Sequence, residues 1–156
     1  MPEPILIIDD EPEDARRLEE LLKQLAVLNP IRCFINAIEA MAYISGQFIY
    51  SDRAKHPLPK IILLDLKMPG VDGFDFMKWL AAHQKLEDFL IFVITGLENV
   101  EIIRRAYQAG AKSFIQKPCC LHDLQNLIRA FPDHWFLAPA AGLGSAEGNE
   151  NRPELS

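Results

Sequence analysis

The chain has 156 residues, 49% hydrophobic and 24% charged, with a formal net charge of -6. That length supports one domain with a proper core and leaves room for a tail. An acidic chain argues against general nucleic-acid binding, which needs a concentrated basic surface. No apolar run approaches the roughly 20 residues that span a bilayer. Met1-Pro2-Glu3-Pro4 lacks the basic start of a signal peptide, so a cytoplasmic protein with no membrane partner is expected. Cys33, Cys119 and Cys120 suggest no disulfide framework and are expected as small buried fillers.

In chain order, Ile5-Leu6-Ile7-Ile8 reads as a buried strand ending at Asp9-Asp10-Glu11. Asp10 or Glu11 is placed to cap a helix with Pro12 in its first turn. Ala15, Leu18, Leu22 and Leu25 then recur at helical spacing until Asn29-Pro30. A second strand runs from Ile31 to Ile35. A second helix runs from Ala37 to about Phe48 through Ile38, Met41, Ala42 and Ile44. Ser51 to Pro59 is a long polar loop.

The third strand, Ile61-Ile62-Leu63-Leu64, delivers Asp65 to a loop containing Pro69, Gly70 and Gly73. A third helix follows through Phe74, Met77, Trp79 and Leu80. Leu90 to Ile94 is a fourth strand ending at Thr95-Gly96, and Asn99 to Ala109 is a fourth helix closed by Gly110. Lys112 to Gln116 is a fifth strand before Lys117-Pro118, and Leu121, Leu124, Ile128 and Phe131 build a fifth helix. Five βα units predict an α/β fold with a parallel sheet covered on both faces. No internal repeat is visible. The domain is expected over residues 1–137, with an aromatic extension over 131–137 and a disordered tail over 138–156.

The polar residues gather at strand ends: Asp9 and Asp10, Asp65, Thr95 and Lys117. In a doubly wound sheet of order 2-1-3-4-5, those ends are neighbours, and ligands bind there. Three adjacent carboxylates repel one another unless a cation holds them, and such oxygen ligands suit Mg²⁺. With Lys117 and a hydroxyl opposite, the set calls for phosphoryl transfer to Asp65 as nucleophile, giving an aspartyl-phosphate.

The chain resembles the receiver domains of two-component response regulators. The likeness rests on Asp9-Asp10, on Asp65 through Gly73, on Thr95-Gly96, and on Gly110-Ala111 followed by Lys117-Pro118. It implies a flavodoxin-like (βα)5 fold and phosphorylation of Asp65 by a sensor histidine kinase. It further implies that Asp10, Asp65 and the Lys67 backbone carbonyl bind Mg²⁺, with Asp9 assisting through water. Thr95 and Lys117 would take phosphoryl oxygens, and the Lys117–Pro118 bond would be cis. Phe114 stands at the aromatic switch position, as core or as switch. Gly96 stands where alanine is frequent.

Such a protein catalyses its own phosphotransfer and autodephosphorylation but acts as a switch, through the fourth helix, fifth strand and fifth helix. Too few residues follow Phe131 for a DNA-binding output, so the expected partners are the kinase, a homodimer mate, and a downstream protein or phosphotransfer protein. The 51–59 loop and Trp135-Phe136 are similar to features of phytochrome-associated response regulators. Trp135 and Phe136 either fold back on the domain or form an interface. Two other functions compete: a receiver-fold module that is not phosphorylated, and a haloacid-dehalogenase-like phosphatase. The latter needs a second acid where Lys67 stands.

Overall fold

The structure is a computed structural model that describes residues 2–97 and 99–139. Five strands, β1 (Ile5–Ile8), β2 (Ile31–Phe34), β3 (Ile61–Leu64), β4 (Leu90–Thr95) and β5 (Ser113–Gln116), form one parallel sheet in the order 2-1-3-4-5. Helices α1 (Pro12–Gln24), α2 (Ala37–Ser45), α3 (Gly73–His83), α4 (Val100–Gln108) and α5 (Leu121–Ala130) connect and flank them. The expected fold is the one observed.

Successive strand residues face opposite sides of the sheet. Ile5, Ile7, Ile61, Leu63, Phe92 and Ile94 join α1 and α5 in one core, with Leu18, Leu22, Leu124 and Leu127. Leu6, Ile8, Ile62, Leu64, Ile91 and Val93 join α2 and α3 in the other, with Tyr43, Ile44, Phe76 and Leu80. Both faces are covered, so β1 and β3 read as unbroken apolar runs rather than alternating ones. Each fully buried aliphatic side chain of this kind contributes about 1.5–3 kcal/mol.

Several element boundaries depart from the sequence expectation. α1 stops at Gln24, because Ala26 turns left-handed (φ 61°) and sends Val27 back into the core. α2 stops at Ser45, because Gly46 takes the left-handed C-terminal position (φ 71°), and a 3-10 turn covers Phe48–Ser51. The buried face of α2 is Ala37, Ala40, Tyr43 and Ile44, leaving Ile38 63% exposed. Tyr43 can enter the core because its hydroxyl donates to the Pro57 carbonyl at 2.7 Å.

The 51–59 loop is tied down rather than merely polar. Arg53 donates to the Tyr43 carbonyl at 2.7 Å and also to the Ile44 carbonyl, satisfying the last turn of α2. His56 packs edge-on against Tyr43 and Tyr50.

The aromatic extension folds back on its own domain. Trp135 lies parallel to Phe92, with ring centroids 6.2 Å apart, and is buried. The interface expectation is therefore corrected for Trp135, whose ring is spent on the core; Phe136 faces outward. Asn29, itself buried, fastens the segment by donating to the Glu3 and His134 carbonyls and accepting from the Phe136 N–H, all within 2.9 Å. Val27 pairs with Leu137, and the Ala138 N–H donates to the Ala26 carbonyl, so the ordered chain runs past the expected start of the tail. The tail from residue 140 lies outside the described residues. Of the cysteines only Cys119 is buried; Cys33 lies on the part-open β2, and Cys120 caps α5. Among the described residues no helix is long and apolar enough to cross a membrane.

Candidate functional site

The strand register builds the site. Ile8 is opposite Leu64, so the next residues, Asp9 and Asp65, emerge side by side. The Asp65 N–H donates to the Ile8 carbonyl at 2.9 Å, extending the ladder by one step. Thr95 is opposite Gln116, and the Lys117 N–H donates to the Thr95 carbonyl at 2.8 Å, which brings Lys117 to the same rim. Pro12 begins α1 two residues after Asp10, so the helix leaves from this rim. The Lys117–Pro118 bond is cis.

Gly73 sets the loop after Asp65. A Cβ there would run into the Asp65 carbonyl oxygen and stand 2.7 Å from the Leu66 Cα, so α3 can pack this close only with glycine. Gly96 differs, since a Cβ there would meet nothing within 4 Å.

Asp9, Asp10 and Asp65 each offer a carboxylate oxygen, and these lie within 4.8 Å of one another. The Lys117 Nζ stands 2.8 Å from Asp9 Oδ2, 2.8 Å from Asp14 Oδ2 and 3.1 Å from Asp65 Oδ2. The other Asp65 oxygen accepts from the Lys67 N–H at 3.2 Å. Asp9 Oδ1 accepts from the Glu11 N–H at 2.9 Å. An open cavity of about 510 Å³ lies over the group, lined by Asp10, Asp65, Lys67, Pro69, Gly96 and Lys117 among others.

Electrostatics follow from burial. Asp9 is 2% exposed, and desolvation pushes its carboxyl up to about 6, although hydrogen bonds from Lys117 and Glu11 pull the other way. Burial alone would lower the Lys117 ammonium. Hydrogen bonds to Asp14, Asp9 and Asp65 outweigh it and hold that pKa above the ordinary lysine range. The result is a part-buried cation shared by three acids at the edge of the cavity. Three close oxygen ligands, of which Asp10 and Asp65 line the cavity, fit a hard divalent cation such as Mg²⁺ or Mn²⁺.

Of the residues expected at the site, Asp9, Asp10, Asp65 and Lys117 converge and Lys67 lines the cavity. Thr95 ends β4 as expected but is fully buried, and its hydroxyl accepts a long bond (3.5 Å) from the Leu97 N–H instead of lining the cavity. Phe114 is half-buried against the α2–α4 core. Asp14 escaped the sequence reading. Its signal was position: it lies in the first turn of α1, which leaves from the same rim.

An acidic pocket with a part-buried lysine thus lies at the carboxyl ends of the strands of a 2-1-3-4-5 sheet, where ligands bind in folds of this kind. The chain belongs to the response regulator receiver domain family, whose model matches residues 5–129. Response regulator Rcp1 of Synechocystis sp. (strain ATCC 27184 / PCC 6803 / Kazusa) is 25% identical over 135 residues, covering 86% of this chain and 90% of Rcp1. The structure of the Mn²⁺-bound form of Rcp1 matches 88% of this chain and 100% of its own, at 25% identity with a TM-score of 0.71. Response regulator RPA3017, described in red light signaling of R. palustris, is 23% identical with a TM-score of 0.75 over 88% of this chain and 99% of its own. The phosphorylated cyanobacterial phytochrome response regulator RcpA is 24% identical with a TM-score of 0.71, over 86% and 94%. Phytochrome response regulators are thus among the neighbours of this chain.

Proposed function

We propose that this protein is a phosphorylation-controlled switch that takes a phosphoryl group on Asp65 from a sensor histidine kinase. The observation that carries this reading is the Lys117 ammonium standing 3.1 Å from Asp65 and 2.8 Å from Asp9, at a cavity that Asp65 lines.

An Asp65 oxygen attacks the phosphorus of a phosphohistidine. The P–N bond breaks, its electron pair returns to the imidazole nitrogen, and an acyl phosphate forms. The Lys67 N–H fixes the carboxylate plane, and Lys117, kept protonated by its neighbours, offsets negative charge on the transferring group. Asp9, Asp10, Asp65 and the Lys67 carbonyl would hold Mg²⁺, which supplies charge neutralisation at the phosphoryl oxygens. Water attack at phosphorus later releases phosphate and regenerates the carboxylate.

Thr95 turns its hydroxyl from the Leu97 N–H to a phosphoryl oxygen, and Phe114 follows as the neighbouring aromatic, altering the surface of α4, β5 and α5. Output is by protein contact, with a downstream protein or a second copy, in the cytoplasm and without nucleic acid. The names of the neighbouring proteins support a phytochrome-class kinase as donor.

The test is incubation with acetyl phosphate and Mg²⁺, followed by intact mass. One phosphoryl group is expected on the wild type and none on a folded Asp65→Asn variant; a labelled variant would move the acceptor elsewhere.

A further inference from the structure

We propose that Asp14 is a positioning residue that competes with the phosphoryl group for the Lys117 ammonium; this rests on the reading of Asp65 as phosphoacceptor. A lysine ammonium has three hydrogens to donate. Three carboxylate oxygens stand around Lys117 Nζ: Asp9 Oδ2 and Asp14 Oδ2 at 2.8 Å, and Asp65 Oδ2 at 3.1 Å. Asp14 and Asp65 accept hydrogen bonds and Asp9 holds the ammonium as an ion pair, so an incoming phosphoryl donor meets a cation already engaged by three acids. One acid must let go before Lys117 can turn to the donor.

Burial decides which. The side chains of Asp9 and Asp65 are 2% and 5% exposed, and a carboxylate left there without its cation is costly. Asp14 is 42% exposed in the first turn of α1 and can exchange the ammonium for water. It is therefore the partner that yields. Its charge also lies on the same cation that must balance a doubly charged phosphoryl group.

The Lys117 loop does not depend on Asp14 for its position. Arg17 Nε donates to the Cys119 carbonyl at 3.0 Å and ties α1 to that loop separately. Lys117 is also held by its own backbone bond to Thr95. Removing the Asp14 charge should free the cation without displacing it.

The experiment titrates beryllofluoride, a phosphoryl mimic, into the full chain at saturating Mg²⁺, read by calorimetry. A partly exposed ion pair of this kind predicts about fivefold tighter binding for Asp14→Asn. Asp14→Glu, which keeps the charge, stays within about twofold of wild type on the same scale. Glu13→Gln removes an equal charge from the same helical turn, where Glu13 pairs only with Arg16 among the described residues, and should change affinity less than about twofold. Unchanged or weaker binding by Asp14→Asn, equal tightening by Glu13→Gln, or an Asp14→Glu as tight as Asp14→Asn overturns the proposal. A folded wild type that binds no beryllofluoride overturns the phosphoacceptor reading instead.

Discussion

The two rims of the sheet are built from residues equally far apart in sequence, yet they are held by different forces. At the C-terminal rim, Asp9, Asp14, Asp65 and Lys117 form a charged group facing a cavity. At the N-terminal rim, Asn29 bonds three backbone groups while Trp135 packs on Phe92. The Asn29 bonds go to neutral backbone groups, and each has one fixed partner. The first set shares a single cation among three acids, so a new anion can redistribute it. One rim stores stability and the other stores a choice of partners.

Mutations should separate the two. Trp135→Ala removes a buried aromatic from the fixed rim and should cost about 3–5 kcal/mol in denaturant unfolding, with or without Mg²⁺. Lys117→Ala strands two buried carboxylates at the exchangeable rim and should cost about 2–3 kcal/mol without metal, after allowing for partial solvent access. Adding Mg²⁺ should recover most of that second loss and none of the first. Equal responses of both variants to the metal would erase the distinction.

Acidity offers a sharper test. Folding raises the Asp9 carboxyl from 3.8 to about 6, so the folded state binds the additional proton between those values. Metal-free stability from this group is greatest below that window and is lost as pH rises through about 6. In pH-resolved unfolding, Asp9→Asn should remove that falling slope. The smallest effect belongs to Gly96→Ala, which has open space for its methyl group and should shift stability by less than about 0.5 kcal/mol. A larger loss would mean that the loop above the cavity needs glycine for its motion.

Much of this was legible in the chain. Apolar runs ending in Asp9, Asp65 and Thr95 pointed three acids, a threonine and a lysine at one rim, because strand ends in a sheet of the expected order are neighbours. Contacts made by side-chain direction were harder to read. Asp14 meets a lysine 103 residues away, and helix spacing alone does not say that Lys117 reaches back to it. Residue type did not separate Trp135, which is buried, from Phe136, which is 43% exposed. Ile38 looked like core by type, but Tyr43 took the inward face once the Pro57 carbonyl satisfied its hydroxyl. Asn29 read as a helix stop beside Pro30, while its buried amide fastens three chain segments.

The most direct measurement is chemical trapping of the acceptor. After incubation with a phosphoryl donor and Mg²⁺, borohydride reduces an aspartyl-phosphate to homoserine, and peptide mass spectrometry locates it. Homoserine at position 65 alone, dependent on the divalent ion and lost in Lys117→Ala, is the predicted result. Homoserine at Asp9 or Asp10, or none from a folded protein that binds Mg²⁺, would contradict the account.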